Sequence, residues 1–182
     1  MKTDHPILAQ DSVARNIAAG IQTQHRVPMR PQPIVIGKAH KFGVPGHTVY
    51  VREAMKAEEV GDIAGYRYRA DNVWIEIQNS PEGADVWTEI YYRTKGIDFE
   101  FTHVDGWVPN IHMRREVART RRTITRTWVE RVRNITRADA KATGFINADA
   151  FLDFIQEQYG PEFVDANNWM WCVEWEPKEA VR

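Results

Sequence analysis

The sequence predicts an α+β domain built on a small β-barrel, with about three short flanking helices and one inserted β-hairpin. Three observations carry that expectation. Many short segments are rich in Val, Thr, Ile and aromatic residues; Gly and Pro mark the turns between them; and three segments begin on helix-capping residues, two of them with apolar residues at helical spacing. With 182 residues, 43% of them hydrophobic, the chain can bury one full core without disulfides or metal, so 1–182 reads as a single domain.

Taken in order, Asp11 or Ser12 caps a first helix whose Val13, Ala14, Ile17 and Ala18 share a face, and Gly20 suits its C′ position. Pro28, Pro31 and Pro33 then hold the chain extended into a short strand at 34–36. Gly43, Pro45 and Gly46 turn it into the strand Thr48–Arg52. Candidate strands at 74–78 and 86–92 flank Asn79-Ser80-Pro81-Glu82-Gly83, which reads as a hairpin loop, and another strand is expected at 99–102. Residues 120–133, rich in Thr, Ile, Val and Trp, read as a long strand. Thr136 with Asp139 forms a capping-box pattern for a short helix ending at Gly144. Asn147 caps a longer helix with Phe151, Phe154, Ile155 and Tyr159 on one face, stopped by Gly160-Pro161. Trp169, Trp171, Val173 and Trp175 alternate with Met170, Cys172, Glu174 and Glu176, as in a half-buried closing strand.

A single cysteine, Cys172, rules out an internal disulfide and points to a reducing compartment. The start of the chain carries Asp4 and His5 rather than an apolar run, and no segment has the length of a membrane span. The expectation is a cytoplasmic protein of a bacterial host cell with no membrane partner. The six histidines lack paired metal-ligand spacing, and there is no phosphate-binding or dinucleotide loop, so no metal or cofactor is expected.

The formal charge of −1 hides an uneven distribution. Residues 114–137 hold nine arginines against Glu116 and Glu130, whereas residues 72–106 hold seven acids against Arg93 and Lys95. Arg119, Arg121, Arg122, Arg126 and Arg131 are therefore candidate contacts to a nucleic-acid backbone. An equal alternative is a solvated strand whose arginines neutralise the acidic 72–106 insertion.

Several motifs, in one order from about residue 7 to 176, point to a family. Gly20-Ile21-Gln22-Thr23-Gln24-His25-Arg26 resembles the Gly-Arg-Lys-Thr-x-Thr-Arg signature of the ASCH domains, which are PUA-like β-barrels common in phage and prophage genomes. Gly43-Val44-Pro45-Gly46 through Val51-Arg52-Glu53 is similar to that family's turn and strand. So are Tyr68-Arg69-Ala70-Asp71, Trp107-Val108-Pro109-Asn110-Ile111-His112-Met113-Arg114-Arg115, Val129-Glu130-Arg131 and Trp169 through Trp175.

In active relatives a Lys, a Thr and a distant Glu hydrolyse acylated cytidine nucleosides. The resemblance places Gln22, His25 and Thr143 at those positions. Gln is no base near neutral pH, and a hydroxyl does not replace a carboxylate, so the resemblance implies a pseudo-amidohydrolase. What remains is a set of ligand-binding groups: Gln22, Thr23, His25, Arg26, Arg52, Glu53, His112, Arg114 and Thr143. The expected function is a PUA-like module that binds RNA, single-stranded nucleic acid, or a nucleotide or modified nucleoside. Two readings stand beside it. One is an enzyme with a rebuilt site, an amidohydrolase or ribonuclease using Thr23 and His25, with Glu53 orienting the imidazole. The other is a phage accessory protein whose acidic insertion binds a host protein.

Overall fold

The computed structural model describes residues 4–33, 40–77, 80–97 and 106–177, so the strands expected at 34–36 and 99–102 lie outside the described residues. In chain order the elements are β1 (Asp4–Leu8), α1 (Asp11–Ala19), β2 (Gln24–Pro28), β3 (Thr48–Arg52), β4 (Met55–Val60), β5 (Ile63–Tyr68), β6 (Trp74–Glu76) and α2 (Pro81–Thr94). They continue with β7 (Arg121–Arg131), α3 (Arg137–Ala142), α4 (Ala148–Tyr159), α5 (Pro161–Asp165) and β8 (Trp169–Trp175). The architecture is mixed α+β. A barrel requires its two end strands to pair. The sheet orders here are β1-β3-β7-β8-β2 and β4-β5-β6, both open among the described residues, so neither sheet closes into the expected barrel.

The chain divides into two compact units, one drawn from Met1–His5, Asn16–Val49 and Arg122–Arg182, the other from Pro6–Arg15 and Tyr50–Arg121. In the first, antiparallel β8 pairs with β2 on one side (Arg26↔Cys172) and β7 on the other (Trp128↔Cys172). The β7 register shifts between Ile124 and Arg126, a bulge that resets which side chains face which way. Met170 and Cys172 bury against Val132, Ile135, Ala140, Phe151, Ile155 and Phe163, a core supplied by the turn after β7 and by α3, α4 and α5. These helices begin where their caps dictate. Thr136 Oγ1 accepts from Asp139 N at 3.1 Å, Asn147 Oδ1 accepts from Ala150 N at 2.8 Å, and Gly160 ends α4 at φ 89°.

In the second unit, β4 and β5 form a hairpin through Gly61 and Asp62, both at positive φ, and β6 adds a third antiparallel strand. The structure differs from the hairpin expected at 72–106. Its first strand survives as β6, but the segment expected to be the second strand, 86–92, lies inside helix α2. The signals read as a turn are those of a helix start. Ser80 is extended and its Oγ accepts from Gly83 N at 3.0 Å, with Pro81 in the first turn. The apolar residues then match at a spacing of four: Val86 and Ile90 are buried, and Trp87 stacks on Tyr91 at 4.7 Å. α2 closes a core with Met55, Ala57, Tyr66 and Tyr68, so this segment is packed rather than projecting.

Ile90 is fully buried in that core. Ile90→Ala should therefore cost about 2–5 kcal/mol in urea denaturation. A projecting hairpin would leave the midpoint within about 0.5 kcal/mol of the parent.

Candidate functional site

The Gly20–Arg26 motif is built by a helix end followed by a strand. Gly20 adopts φ 80°, and the amides of Ile21 and Gln22 both donate to Asn16 O, at 2.9 and 3.1 Å. The chain then enters β2, where side chains must alternate. Gln24 and Arg26 are buried, whereas His25 and Val27 are half-buried on the opposite face. The pleat thus separates Arg26 from His25, two residues that the sequence placed in one ligand set.

Arg26 faces a closed polar cluster. Its guanidinium donates to Glu130 at 2.5 Å and lies 3.4 Å from Asp139, with the side chain 1% exposed. Gln24 Nε2 donates to Asp139 Oδ1 at 3.0 Å and to Glu174 Oε1 at 3.3 Å. Burial works against the charge on Asp139, but hydrogen bonds from Thr136 and Gln24 and the nearby Arg26 hold its carboxyl below the usual range. Arg26 is a structural cation within this cluster.

Gln22 and His25 do come together. Gln22 Nε2 lies 3.5 Å from His25 Nδ1 and donates to Gln24 O at 2.7 Å. Gln22 is 2% exposed, and its Oε1 is enclosed without a hydrogen-bond partner. A Cβ built on Gly144 would meet Asn16 Nδ2 at 3.0 Å and Gln22 Oε1 at 3.7 Å, so the turn after α3 closes against the same carboxamide. Thr143 reaches this turn, but its hydroxyl donates to Ala140 O at 2.8 Å and Asp139 O at 3.1 Å, within its own helix end. Thr23 is fixed through its backbone, N to Ala142 O at 2.8 Å and O from Trp175 N at 3.0 Å. Desolvation, aided by the positive charge of Lys41, lowers the His25 pKa to about 4. The imidazole is neutral at pH 7 and a weak base.

In the second unit, Glu53 is fully buried and accepts two bonds from Arg119, at 2.9 and 2.7 Å. Arg119 also reaches Asp71 at 2.9 Å and lies over the Tyr68 ring at 4.3 Å. The partner of Glu53 is Arg119, not the adjacent Arg52, which instead donates to Ile111 O beside His112. Consecutive extended residues point to opposite sides, which is why neighbours in sequence do not pair here. Arg114 pairs with Glu89 of α2 at 2.7 Å and with Glu116 at 3.5 Å.

The arginine run is therefore not one phosphate-facing row. Arg119 is held by two carboxylates, Arg121 donates to Arg115 O and Arg122 donates to Ile17 O. Burial lowers the Arg122 pKa. Arg126 is exposed and stacked on Trp128 at 4.3 Å, and Arg131 lies over Trp169 at 4.2 Å. Glu130, Asp139, Glu174 and Asp71 were not singled out as site residues, because only long-range pairing places them beside Gln24, Arg26 and Arg119. Cys172 is buried and its thiol is pushed up to about 12 by that burial, so it is no nucleophile.

Among the described residues, no group of three or more His, Cys, Asp or Glu could hold a metal ion, and no helix is long and apolar enough to cross a membrane. No family model, curated protein or solved structure matches the chain.

Two outcomes follow from this geometry. Arg119→Ala should lower stability by about 3–5 kcal/mol, since it leaves Glu53 buried and unpaired; denaturation at pH 7 measures it, and a loss below about 1 kcal/mol would show the pair to be solvated. The folded-state pKa of His25 lies below its ordinary value of 6.5. Stability from this group is thus complete above pH 6.5 and declines as pH falls towards 4, by on the order of 2–3 kcal/mol. His25→Gln should flatten that decline, leaving the smaller share from His40, whose pKa burial also lowers. An unchanged slope would contradict a desolvated, neutral imidazole.

Proposed function

We propose that the protein is a PUA-like module of the ASCH type that holds a nucleobase, within single-stranded RNA or a modified nucleoside, without hydrolysing it. The observation that carries this reading is the enclosed, unpartnered Oε1 of Gln22, with the imidazole of His25 kept neutral 3.5 Å from the carboxamide nitrogen. Leaving a buried acceptor unmade costs about 1–3 kcal/mol; the reading requires the turn at Gly144, which closes against this atom, to open, and the exocyclic amine of a base then supplies the missing N–H. His25 then offers either a donor or an acceptor to a second ring atom, depending on its tautomer.

The same groups are poor hydrolytic machinery. Gln22 has no basic atom, His25 with a pKa of about 4 takes up a proton weakly at pH 7, and the Thr143 hydroxyl is committed to Ala140 O. This disfavours a rebuilt amidohydrolase or ribonuclease using Thr23 and His25. The host-protein reading relied on a projecting hairpin, and the 81–94 segment is a packed helix, so no observation favours it.

For a strand of nucleic acid, Arg126 and Arg131 are the supporting cations. Each guanidinium lies over an indole; the exposed Arg126 keeps its N–H edge for a phosphate, whereas Arg131 already donates Nη1 to Asn167 O at 3.0 Å and has only its remaining N–H groups to offer. Single-stranded RNA should therefore bind with an affinity that falls as salt rises. Arg126→Gln and Arg131→Gln should each reduce the log–log salt slope by about 0.7, while Gln22→Glu should weaken binding with the slope intact. N4-acetylcytidine should be bound and recovered unhydrolysed. Turnover of it by the wild-type protein, lost in His25→Ala, would overturn the reading, as would absence of RNA binding at low salt.

A further inference from the structure

Residues 40–47 lie against the face of β2, β8 and β7 that the helices leave free, and a histidine holds this segment at each end. At its start, His40 meets Trp171 edge to face, with ring centroids 4.8 Å apart. His40 Nε2 is 2.9 Å from Trp128 O, and Nδ1 is 3.2 Å from Phe42 N. A carbonyl only accepts and an amide N–H only donates, so Nε2 carries the proton and Nδ1 is unprotonated. At the other end, His47 Nδ1 is 3.2 Å from His5 Nε2. The ring centroids are 5.4 Å apart and the planes 8° from parallel. The centroid separation exceeds the nitrogen separation by just the two ring radii, so the imidazoles meet head-on through one nitrogen each. A single proton fits between them, and one of the two nitrogens must stay bare.

The segment between these ends covers the proposed site. Phe42 is 1% exposed and meets the His25 ring edge to face at 6.3 Å. Thr127 Oγ1 donates to Gly43 O at 3.2 Å, and Gly46 N donates to Ile124 O at 2.9 Å. Gly43 adopts φ 78° beneath the histidine pair, where a Cβ would meet both facing nitrogens at 2.4 Å. The charges that bear on the covered face are cationic: His5 acts on His40, Lys41 acts on His25, and Arg131 comes from β7. Strand register turns Arg26, Arg126, Glu130 and Glu174 to the helix side, β3 carries no carboxylate, and Asp4 points away from its neighbour His5. No carboxylate of these strands answers a new positive charge on the segment.

We propose that residues 40–47 form an acid-released strap. A proton on His40 Nδ1 and a second proton on the His5–His47 pair each set a donor against a donor, and the strap then lifts from His25 and Trp171. Burial, with His5 adding to it, holds His40 below its ordinary value of 6.5. The closed strap therefore excludes the proton. It is fully held above pH 6.5 and is lost as pH falls towards 4, where His25 also takes up its proton. This inference goes beyond the nucleobase reading and holds whether or not a base is bound.

NMR of the whole chain between pH 8 and 4 tests it. The Phe42 and Gly46 amides and the Trp171 indole should hold their positions down to about pH 6. Below that they should move together and in step with the His40 ring, while the Ile155 amide, in the helical core of the same unit, stays in place. Each proton taken up on opening raises the open population by up to about tenfold per pH unit. His40→Gln keeps a donor for Trp128 O but removes one such proton, and should make the transition shallower by about that factor. His47→Asn should do the same from the other end. Where a variant loosens the segment, the coincidence of ring and amide titrations in the parent carries the test. A His40 ring that titrates while Phe42 and Gly46 stay still would overturn the proposal. So would movement of Ile155 in the same step, or variants whose transitions are as steep as the parent's.

Discussion

Antiparallel pairing of β2 with β8 is the constraint on which the candidate site depends. Once Gln24 lies opposite Glu174 and Arg26 opposite Cys172, the pleat settles every neighbouring side chain. Gln24 and Arg26 turn to the face that carries Glu130, Asp139 and Glu174, and His25 turns to the other. A slip of one residue would bring the imidazole among carboxylates, raise its pKa and move the guanidinium to the face His25 now occupies, away from Glu130 and Asp139. The neutrality of His25 is thus a consequence of backbone register before it is a property of the imidazole.

The two units use the same electrostatic device. In each, one guanidinium is held between two carboxylates, Arg26 by Glu130 and Asp139, Arg119 by Glu53 and Asp71. Planar guanidinium suits this role because its N–H groups fan out in one plane and keep their charge at any physiological pH. The device also explains the uneven charge of the sequence. Three arginines of the 114–137 run answer carboxylates from distant segments, Arg114 with Glu89 of α2, Arg119 with Glu53 and Asp71, and Arg133 with Asp165, so part of a dense basic stretch is neutralised locally. Breaking one such pair exposes the asymmetry of buried charge, where loss of a partner costs far more than the pair contributes.

Elements with local signatures were legible. The capping box at Thr136, the Asn147 cap and the Gly160 stop all rest on residues within a few positions of each other. The strand at 169–175 was legible but its faces were not: Met170 and Cys172, on the side read as outward, are buried under the helices, and Trp169 and Trp171 are only half-buried. The 81–94 segment was misread because Asn79-Ser80-Pro81-Glu82-Gly83 contains both turn residues and a helix cap, and the spacing of Val86 and Ile90 was outweighed by β-type composition. The β4–β5 hairpin escaped notice because Lys56, Glu58 and Glu59 interrupt its apolar positions. For the site, the types of residue were legible and their partners were not. Gln22 beside His25 is a three-residue relation, whereas Arg26 with Glu130 spans most of the chain and follows only from strand order.

In the proposed site the His25 imidazole binds without acting as a base. Proton NMR titration of the His25 ring, assigned through His25→Gln, measures this directly. The expected midpoint is about 4, with no change in protonation between pH 6 and 8. A midpoint near the ordinary value of 6.5 would mean a solvated, basic imidazole, and would return catalysis to the leading reading of the site.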